Sequence, residues 1–133
     1  MKYSVEHSSY ITREEVRHNR HKLFLFGDNL QRHGLGGQAR EMRGEPNAIG
    51  IPTKKRPART PDSYFTDEEF DANRAAIDRA FLDIVERLLA PIGPSILVIP
   101  SAGLGTGRAE LGQRAPRTFA YLEKRLRELA DPS

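Results

Sequence analysis

Two short apolar runs constrain the fold of this 133-residue chain more than any other feature. Residues 23–26 and 96–99 are apolar throughout. Runs of this length suit strands covered on both faces, and they are far too short to span a bilayer. Because helical patterns lie between and after them, we predict an α/β fold with a mostly parallel central sheet in three α/β/α layers. At this length, residues 1–133 are expected to form a single domain.

The helical patterns carry capping signals and periodic apolar positions. Thr12 with Glu15, and Thr66 with Glu69, match the capping box, in which a hydroxyl and a carboxyl group satisfy the free amides of a helix start. A last helix is predicted from Pro116, a favoured first-turn residue. The second capping box opens the longest helix, for which the spacing predicts one buried stripe: Phe70, Ile77, Phe81, Ile84 and Leu88.

Composition narrows the class of protein. Hydrophobic residues make up 38% and charged residues 29% of the chain, which is typical of a globular domain. The chain has no cysteine, and its four histidines lack metal-binding spacing, so we expect no metal and no cofactor. The first twenty residues carry charges and no apolar run of a secretory signal. We therefore expect a cytoplasmic protein without membrane contact; no pattern assigns its oligomeric state.

The first glycine-rich segment follows the first buried strand. Glycines at 34, 36 and 37 leave backbone amides open to a phosphate group, and a helix after them would point its positive end at the same place. Asp28 and Asn29, at the strand end, can bond to the hydroxyls of a ribose. The alternative is a turn that needs glycine only for positive φ angles.

A second glycine-rich segment follows the second buried strand. Gly103, Gly105 and Gly107 alternate there with other small residues, including Ser101 and Thr106. The segment lacks the Lys-Ser/Thr pair of a P-loop. Ligands of parallel α/β sheets bind beyond the carboxyl ends of the strands, so two such loops on adjacent strands would hold two phosphates.

A basic segment lies between the two loops. A lysine there either binds phosphate as a cation or, when desolvated, attacks an aldehyde-like carbon. Residues 54–63 are rich in Pro and Arg and predict a long exposed loop. Residues 1–60 hold twelve Lys and Arg against six Asp and Glu, which favours nucleic acid as a partner, the alternative being a solvated surface.

Three segments together resemble the macrodomain family. They are RHGLGGQA, IPTKKR and PSAGLGTG, and the similarity covers residues 23–126. The resemblance is to the subgroup that contains the terminal ADP-ribose protein glycohydrolase and the antitoxin that removes ADP-ribose from DNA. It implies that both loops wrap an ADP-ribose and that Lys54 is catalytic. The predicted binding residues are Gly27, Asp28, Asn29, Gly34, Leu35, Gly36, Gly37, Gln38, Thr53, Ser101, Ala102, Gly103, Leu104, Gly105, Thr106 and Gly107.

One position departs from that subgroup. In its hydrolases an aspartate follows the Gly-Leu of the second loop and assists the lysine, which attacks the anomeric carbon of the distal ribose and forms a transient Schiff base. Gly105 occupies this position here, and the nearest acidic residues are Asp28 and Glu110. Hydrolysis is therefore less firmly implied than binding.

The resemblance leads us to expect binding of ADP-ribose or a related nucleotide and its removal from a modified protein or nucleic acid. One alternative is a non-catalytic reader of the same ligand. Another is a nucleotide phosphoribohydrolase of the lysine-decarboxylase-like Rossmann family, because GLGTGRAE resembles that family's PGGxGTxxE. In that reading Glu110 is the catalytic acid and Arg108 binds phosphate.

Overall fold

A computed structural model describes residues 3–131 and places four strands in one sheet. The strands are β1 (Ser4–Ser8), β2 (Lys22–Asn29), β3 (Ala48–Lys54) and β4 (Ile96–Pro100). Their order is β1-β4-β2-β3, and every neighbouring pair is parallel. The helices are α1 (Arg13–His18), α2 (Ala39–Met42), α3 (Phe70–Leu89), α4 (Leu111–Arg114) and α5 (Pro116–Ala130). The predicted α/β fold with a parallel sheet is confirmed.

Helices cover both faces of the sheet because the side chains of the apolar strands alternate. Leu23 and Leu25 join a core cluster that includes residues of α3 and α5. Phe24 and Phe26 point the opposite way and pack with residues of α1 and α2. All four are almost completely buried, so the run 23–26 is covered on both sides as its composition predicts. Within residues 3–131, no helix combines the length and the apolar character that crossing a membrane requires.

Of the three predicted helix starts, those at Thr12 and Pro116 are confirmed and the one at Thr66 is wrong. Thr12 caps α1, where its side chain accepts a hydrogen bond from the Glu15 amide at 3.1 Å. The Thr66 side chain caps no helix; a 3₁₀ turn (Asp67–Glu69) follows it instead, and α3 begins only at Phe70. The apolar stripe predicted along α3 is confirmed, since all five of its side chains are buried.

The segment predicted to be a long exposed loop is partly folded. Lys54 is the last residue of β3, forms an isolated bridge with Tyr64 and is buried. Ser63 is buried as well, within a 3₁₀ turn (Pro61–Ser63). The prediction of exposure is therefore wrong for both ends of the segment and holds for residues 57–62.

A cluster of arginines connects α1 with the segment before β3 through ion pairs. The carboxylate of Glu45, 6% exposed, accepts from Arg13, from Arg17 Nε at 3.0 Å and from Arg20 Nη1 at 3.0 Å. Burial acts to raise the pKa of Glu45, but the hydrogen bonds from Arg13, Arg20 and Arg17 outweigh it and lower the pKa to about 2. The charged form of this carboxyl group is thus favoured by folding.

We predict that Glu45→Gln destabilises the fold in a pH-dependent way. A carboxyl group whose pKa is lowered in the folded state stabilises the protein above its unfolded pKa, near 4.5, and this contribution is lost as pH falls to about 2. The difference in unfolding free energy between wild type and variant should therefore shrink between those pH values in urea titrations. Glu123→Gln, at an exposed position on α5, is the control. A difference independent of pH would contradict the assignment.

Candidate functional site: a cavity between two glycine loops

The carboxyl ends of the parallel strands meet at one edge of the sheet, and a cavity of about 650 Å³ opens there. This volume lies within the range of small-molecule sites. Its wall is formed by the loops after β2 and β4, by the end of β3 and by the connection between β1 and α1. Every residue predicted from the sequence to bind the ligand lines this cavity, together with Lys54.

The two glycine loops lie side by side because β2 and β4 are neighbours in the sheet. A Cβ atom added at Gly27 would lie 3.8 Å from the amide nitrogen of Gly105. A Cβ atom at Gly36 would lie 3.1 Å from Nη1 of Arg108, which belongs to the second loop. The predicted proximity of the two loops is therefore confirmed.

Several of these glycines are required by their backbone conformation. Gly34, Gly37, Gly103 and Gly105 have φ angles of 102°, 58°, 79° and 77°, in the region that disfavours other residues. Within residues 3–131, the non-glycine residues with positive φ are Arg32 and Glu110, and each lies beside a glycine loop. Backbone strain of this kind is often concentrated at functional sites.

The helix expected to direct its positive end at the first loop is a single turn. α2 contains four residues, and so does α4 after the second loop. A macrodipole is the sum of many aligned peptide units, so neither turn supplies the field that the sequence suggests. Any attraction for an anion must come from amides and cationic side chains.

Asp28 is held by arginines and is not available to bind a ribose hydroxyl. Its side chain is 2% exposed and accepts from Arg43 Nη2 at 2.5 Å and Nη1 at 3.2 Å, and from Arg32 at 3.3 Å. Arg43 Nε also donates to the Gly34 carbonyl at 2.8 Å. The carboxylate thus positions the first glycine loop, which corrects its expected role.

Three further predicted residues also use their side chains within the protein. Asn29 Nδ2 donates to the carbonyl of His33 at 2.8 Å and closes the first loop. Gln38 exchanges two hydrogen bonds with the backbone of Ile11. Thr53 Oγ1 donates to the Asp28 carbonyl at 3.1 Å. These side chains shape the wall of the cavity. The side chain of Asn29 is already engaged, so it is not free to bind a ligand in this arrangement.

Lys54 reaches the cavity wall in cationic surroundings. Its Nζ donates to the Ala58 carbonyl at 2.8 Å and lies 4.5 Å from the centre of the Tyr64 ring. Burial lowers the pKa of Lys54 below its ordinary 10.5, and Arg59 lowers it further; Glu110 opposes this, while Arg114 and Arg108 add to it. A neutral amine is therefore more accessible here than at an ordinary lysine, as nucleophilic lysines require.

Glu110 is not brought into the cavity. It is exposed, forms an ion pair with Arg114 at 2.8 Å and is absent from the wall. The phosphoribohydrolase alternative needs this residue as an acid in contact with substrate, and the geometry gives it no such contact. Of the two residues that this alternative requires, only Arg108 lines the cavity.

Sequence reasoning missed several residues of the wall. Arg43 and Tyr10 line the cavity, and the Tyr10 hydroxyl donates to Glu41 of α2 at 2.8 Å. No local pattern marks either residue, because both reach the site through contacts with distant parts of the chain. Among residues 3–131, no group of three or more His, Asp and Glu could hold a metal ion.

A family model matches residues 6–125, and its description is "Family of unknown function (DUF7831)". The chain belongs to the DUF7831 family. The matched range contains both glycine loops and Lys54. No curated protein and no solved structure matches the chain. Because the family description names no activity, the function has to be argued from the cavity.

We predict that Gly105→Ala destabilises the fold and that Gly107→Ala does not. A Cβ atom at Gly105 would lie 2.9 Å from two side-chain atoms of Leu111, at a φ of 77°. The left-handed conformation costs about 1–2 kcal/mol, and the overlap adds to it. At Gly107 no atom lies within 4 Å. Thermal and urea unfolding measure the stability of both variants. Equal stability of the two would contradict this account of the loop.

Proposed function

We propose that the cavity binds ADP-ribose or a related nucleotide with two linked phosphates. The observation that carries the proposal is the meeting of two glycine loops, from adjacent parallel strands, in one cavity of about 650 Å³. Exposed amides in such loops are suited to phosphate oxygens. Two loops side by side suit a diphosphate better than a single phosphate.

The charge of the wall supports an anionic ligand. Arg43, Lys54 and Arg108 line the cavity, whereas Asp28 is the one carboxylate among its lining residues. Asp28 is neutralised by its arginine partners. The lining therefore retains an excess of positive charge toward the cavity, which favours phosphates by the local field.

We further propose that Lys54 acts as a nucleophile that releases ADP-ribose from a modified macromolecule. The neutral amine forms a bond to the anomeric carbon of the distal ribose, while the bonds from that carbon to the target and to the ring oxygen break. The ammonium first gives one proton to water. Of the two protons left on the attacking amine, one stays on the iminium nitrogen and the other passes to the departing target atom, while the ring oxygen takes up the proton that water received. Water then hydrolyses the iminium, which regenerates the ammonium and free ADP-ribose.

These proton transfers decide whether the reaction needs an aspartate at the position that Gly105 occupies. Gly105 cannot carry an acidic side chain without strain, because its φ is 77° and Leu111 fills the space beside it. Since the amine supplies one of the two protons that the products require and solvent supplies the other, a carboxylate would assist these transfers without being the source of either proton. The absence of an aspartate at this position is therefore compatible with slow turnover.

A reader without turnover is the second candidate, and one contact favours it. Lys54 Nζ donates to the Ala58 carbonyl, which ties the amine to the exposed segment 57–62. If this bond keeps the amine out of reach of the anomeric carbon when the ligand is bound, the cavity holds ADP-ribose without cleaving it.

The contacts of the basic segment 54–59 bear on the kind of macromolecule that carries the ADP-ribose. Of the four cations in residues 54–59, Lys54 is buried, Lys55 pairs with Glu69 and Arg56 pairs with Asp62. A nucleic-acid target therefore remains part of the proposal, with Arg59 as the cation of this segment that best fits a phosphate contact. A weak dependence on salt is expected for a single contact.

We predict that Lys54→Ala binds free ADP-ribose but loses turnover on ADP-ribosylated protein or DNA. Wild-type protein should bind ADP-ribose with micromolar affinity, about −8 kcal/mol. Borohydride added during turnover should reduce the iminium and leave a sugar adduct that mass spectrometry locates on Lys54.

Lys55→Ala is the matched control, because Lys55 is the next residue and pairs with Glu69 at 2.6 Å. It should retain both binding and turnover. Wild-type protein that binds ADP-ribose but cleaves neither substrate would establish the reader. No binding at millimolar ADP-ribose would overturn ADP-ribose as the ligand and the proposed release reaction with it.

A further inference from the structure

Arg108 connects the two glycine loops across the cavity. It belongs to the second loop, yet a Cβ atom at Gly36 in the first loop would lie 3.1 Å from its Nη1 and 3.4 Å from its Cδ and Cζ. Its guanidinium therefore packs directly on the backbone of Gly36. The side chain is exposed and also lines the cavity, so it is in contact with solvent where the loops meet.

The other cations of the wall are already committed to partners within the protein. Arg43 binds both oxygens of Asp28 and the carbonyl of Gly34. Lys54 donates to the carbonyl of Ala58. Within residues 3–131, by contrast, Arg108 has no hydrogen bond or ion pair. It is thus the cation of the wall whose donors are free for a ligand.

We propose that Arg108 is the side chain that binds the phosphates of the ligand, at the point where the two glycine loops meet. This inference rests on the proposed site but not on ADP-ribose as its occupant. A guanidinium presents donors in a planar fork that matches the oxygens of a phosphate. Placed where the two loops meet, that fork reaches phosphates lying against either loop.

Arg108 also links phosphate binding to Lys54. Burial lowers the pKa of Lys54 most and Arg59 next, and the charge of Arg108 adds a smaller effect in the same direction. A phosphate bound to Arg108 offsets that smaller effect, so the pKa of Lys54 should rise slightly when a diphosphate binds. Arg108→Gln should likewise raise the pKa of Lys54, since it removes the same charge. The rate at which Lys54 is modified by an amine-reactive reagent, followed against pH, measures both effects.

The direct test compares Arg108→Gln with Arg59→Gln in titrations with ADP-ribose, ADP, inorganic pyrophosphate and adenosine. Arg59 is exposed and also lowers the pKa of Lys54, but it does not line the cavity, so it controls for long-range charge. Arg108→Gln should weaken the binding of the three phosphate ligands by about tenfold or more, as expected for loss of a charge-assisted hydrogen bond. The affinity for adenosine should not change. Arg59→Gln should change affinity by less than about threefold, as is usual for a screened surface charge.

The outcomes separate this inference from the proposed function. If ADP-ribose binds wild type and Arg108→Gln equally well, the inference is wrong and the proposed function stands. If ADP and pyrophosphate bind through Arg108 but ADP-ribose does not bind, the inference stands, while ADP-ribose as the ligand and its release by Lys54 are wrong. If none of the phosphate ligands binds, both are overturned.

A second variant tests the geometry without removing the charge. Gly36 has no left-handed φ, and the atoms nearest to an added Cβ are the flexible end of Arg108. Gly36→Ala should therefore fold normally, with the guanidinium shifted by a few tenths of an ångström. We expect it to weaken ADP-ribose in the same direction as Arg108→Gln. Unchanged affinity in Gly36→Ala, together with an unchanged melting temperature, would contradict the placement of Arg108.

Discussion

The ion pair between Asp28 and Arg43 fixes the first glycine loop to the sheet. Arg43 binds both carboxylate oxygens and also holds the Gly34 carbonyl, so one side chain joins the end of β2 to the loop. The Asp28 carboxylate lies over Gly50 of β3. A Cβ atom added at Gly50 would lie 2.5 Å from Oδ2 of Asp28. Removing one partner of a buried pair typically costs about 3–5 kcal/mol. The shape of the cavity therefore depends on a carboxylate that is already engaged.

Because of this constraint, the side chains and the backbone of the site have different roles. Asn29, Gln38 and Thr53 hold the loops in place through internal hydrogen bonds. The residues that line the cavity are mainly those of the glycine loops, with Lys54 and Arg108 beside them. Backbone amides of such loops and cationic side chains suit phosphates, which is the physical basis of the proposed site.

The sequence predicted the sheet, the apolar stripe of α3 and the position of both loops, because these follow from local periodicity and from glycine. It could not predict contacts between distant residues. The capping box at Thr66 fails: a 3₁₀ turn follows Thr66, and Asp67 in that turn accepts hydrogen bonds from the amides of Arg117 and Thr118 at the start of α5. Lys54 is buried although its segment looks solvated, because Tyr64 pairs with it.

The central claim is that both glycine loops bind the same phosphorylated ligand. Titration of ¹⁵N-labelled protein with ADP-ribose, followed by two-dimensional NMR, tests it most directly. We predict that the amide signals of residues 34–38 and 103–107 shift together along one saturable curve, while those of α3 do not move. Signals that shift in only one of the two loops, or only outside the cavity, would contradict the claim.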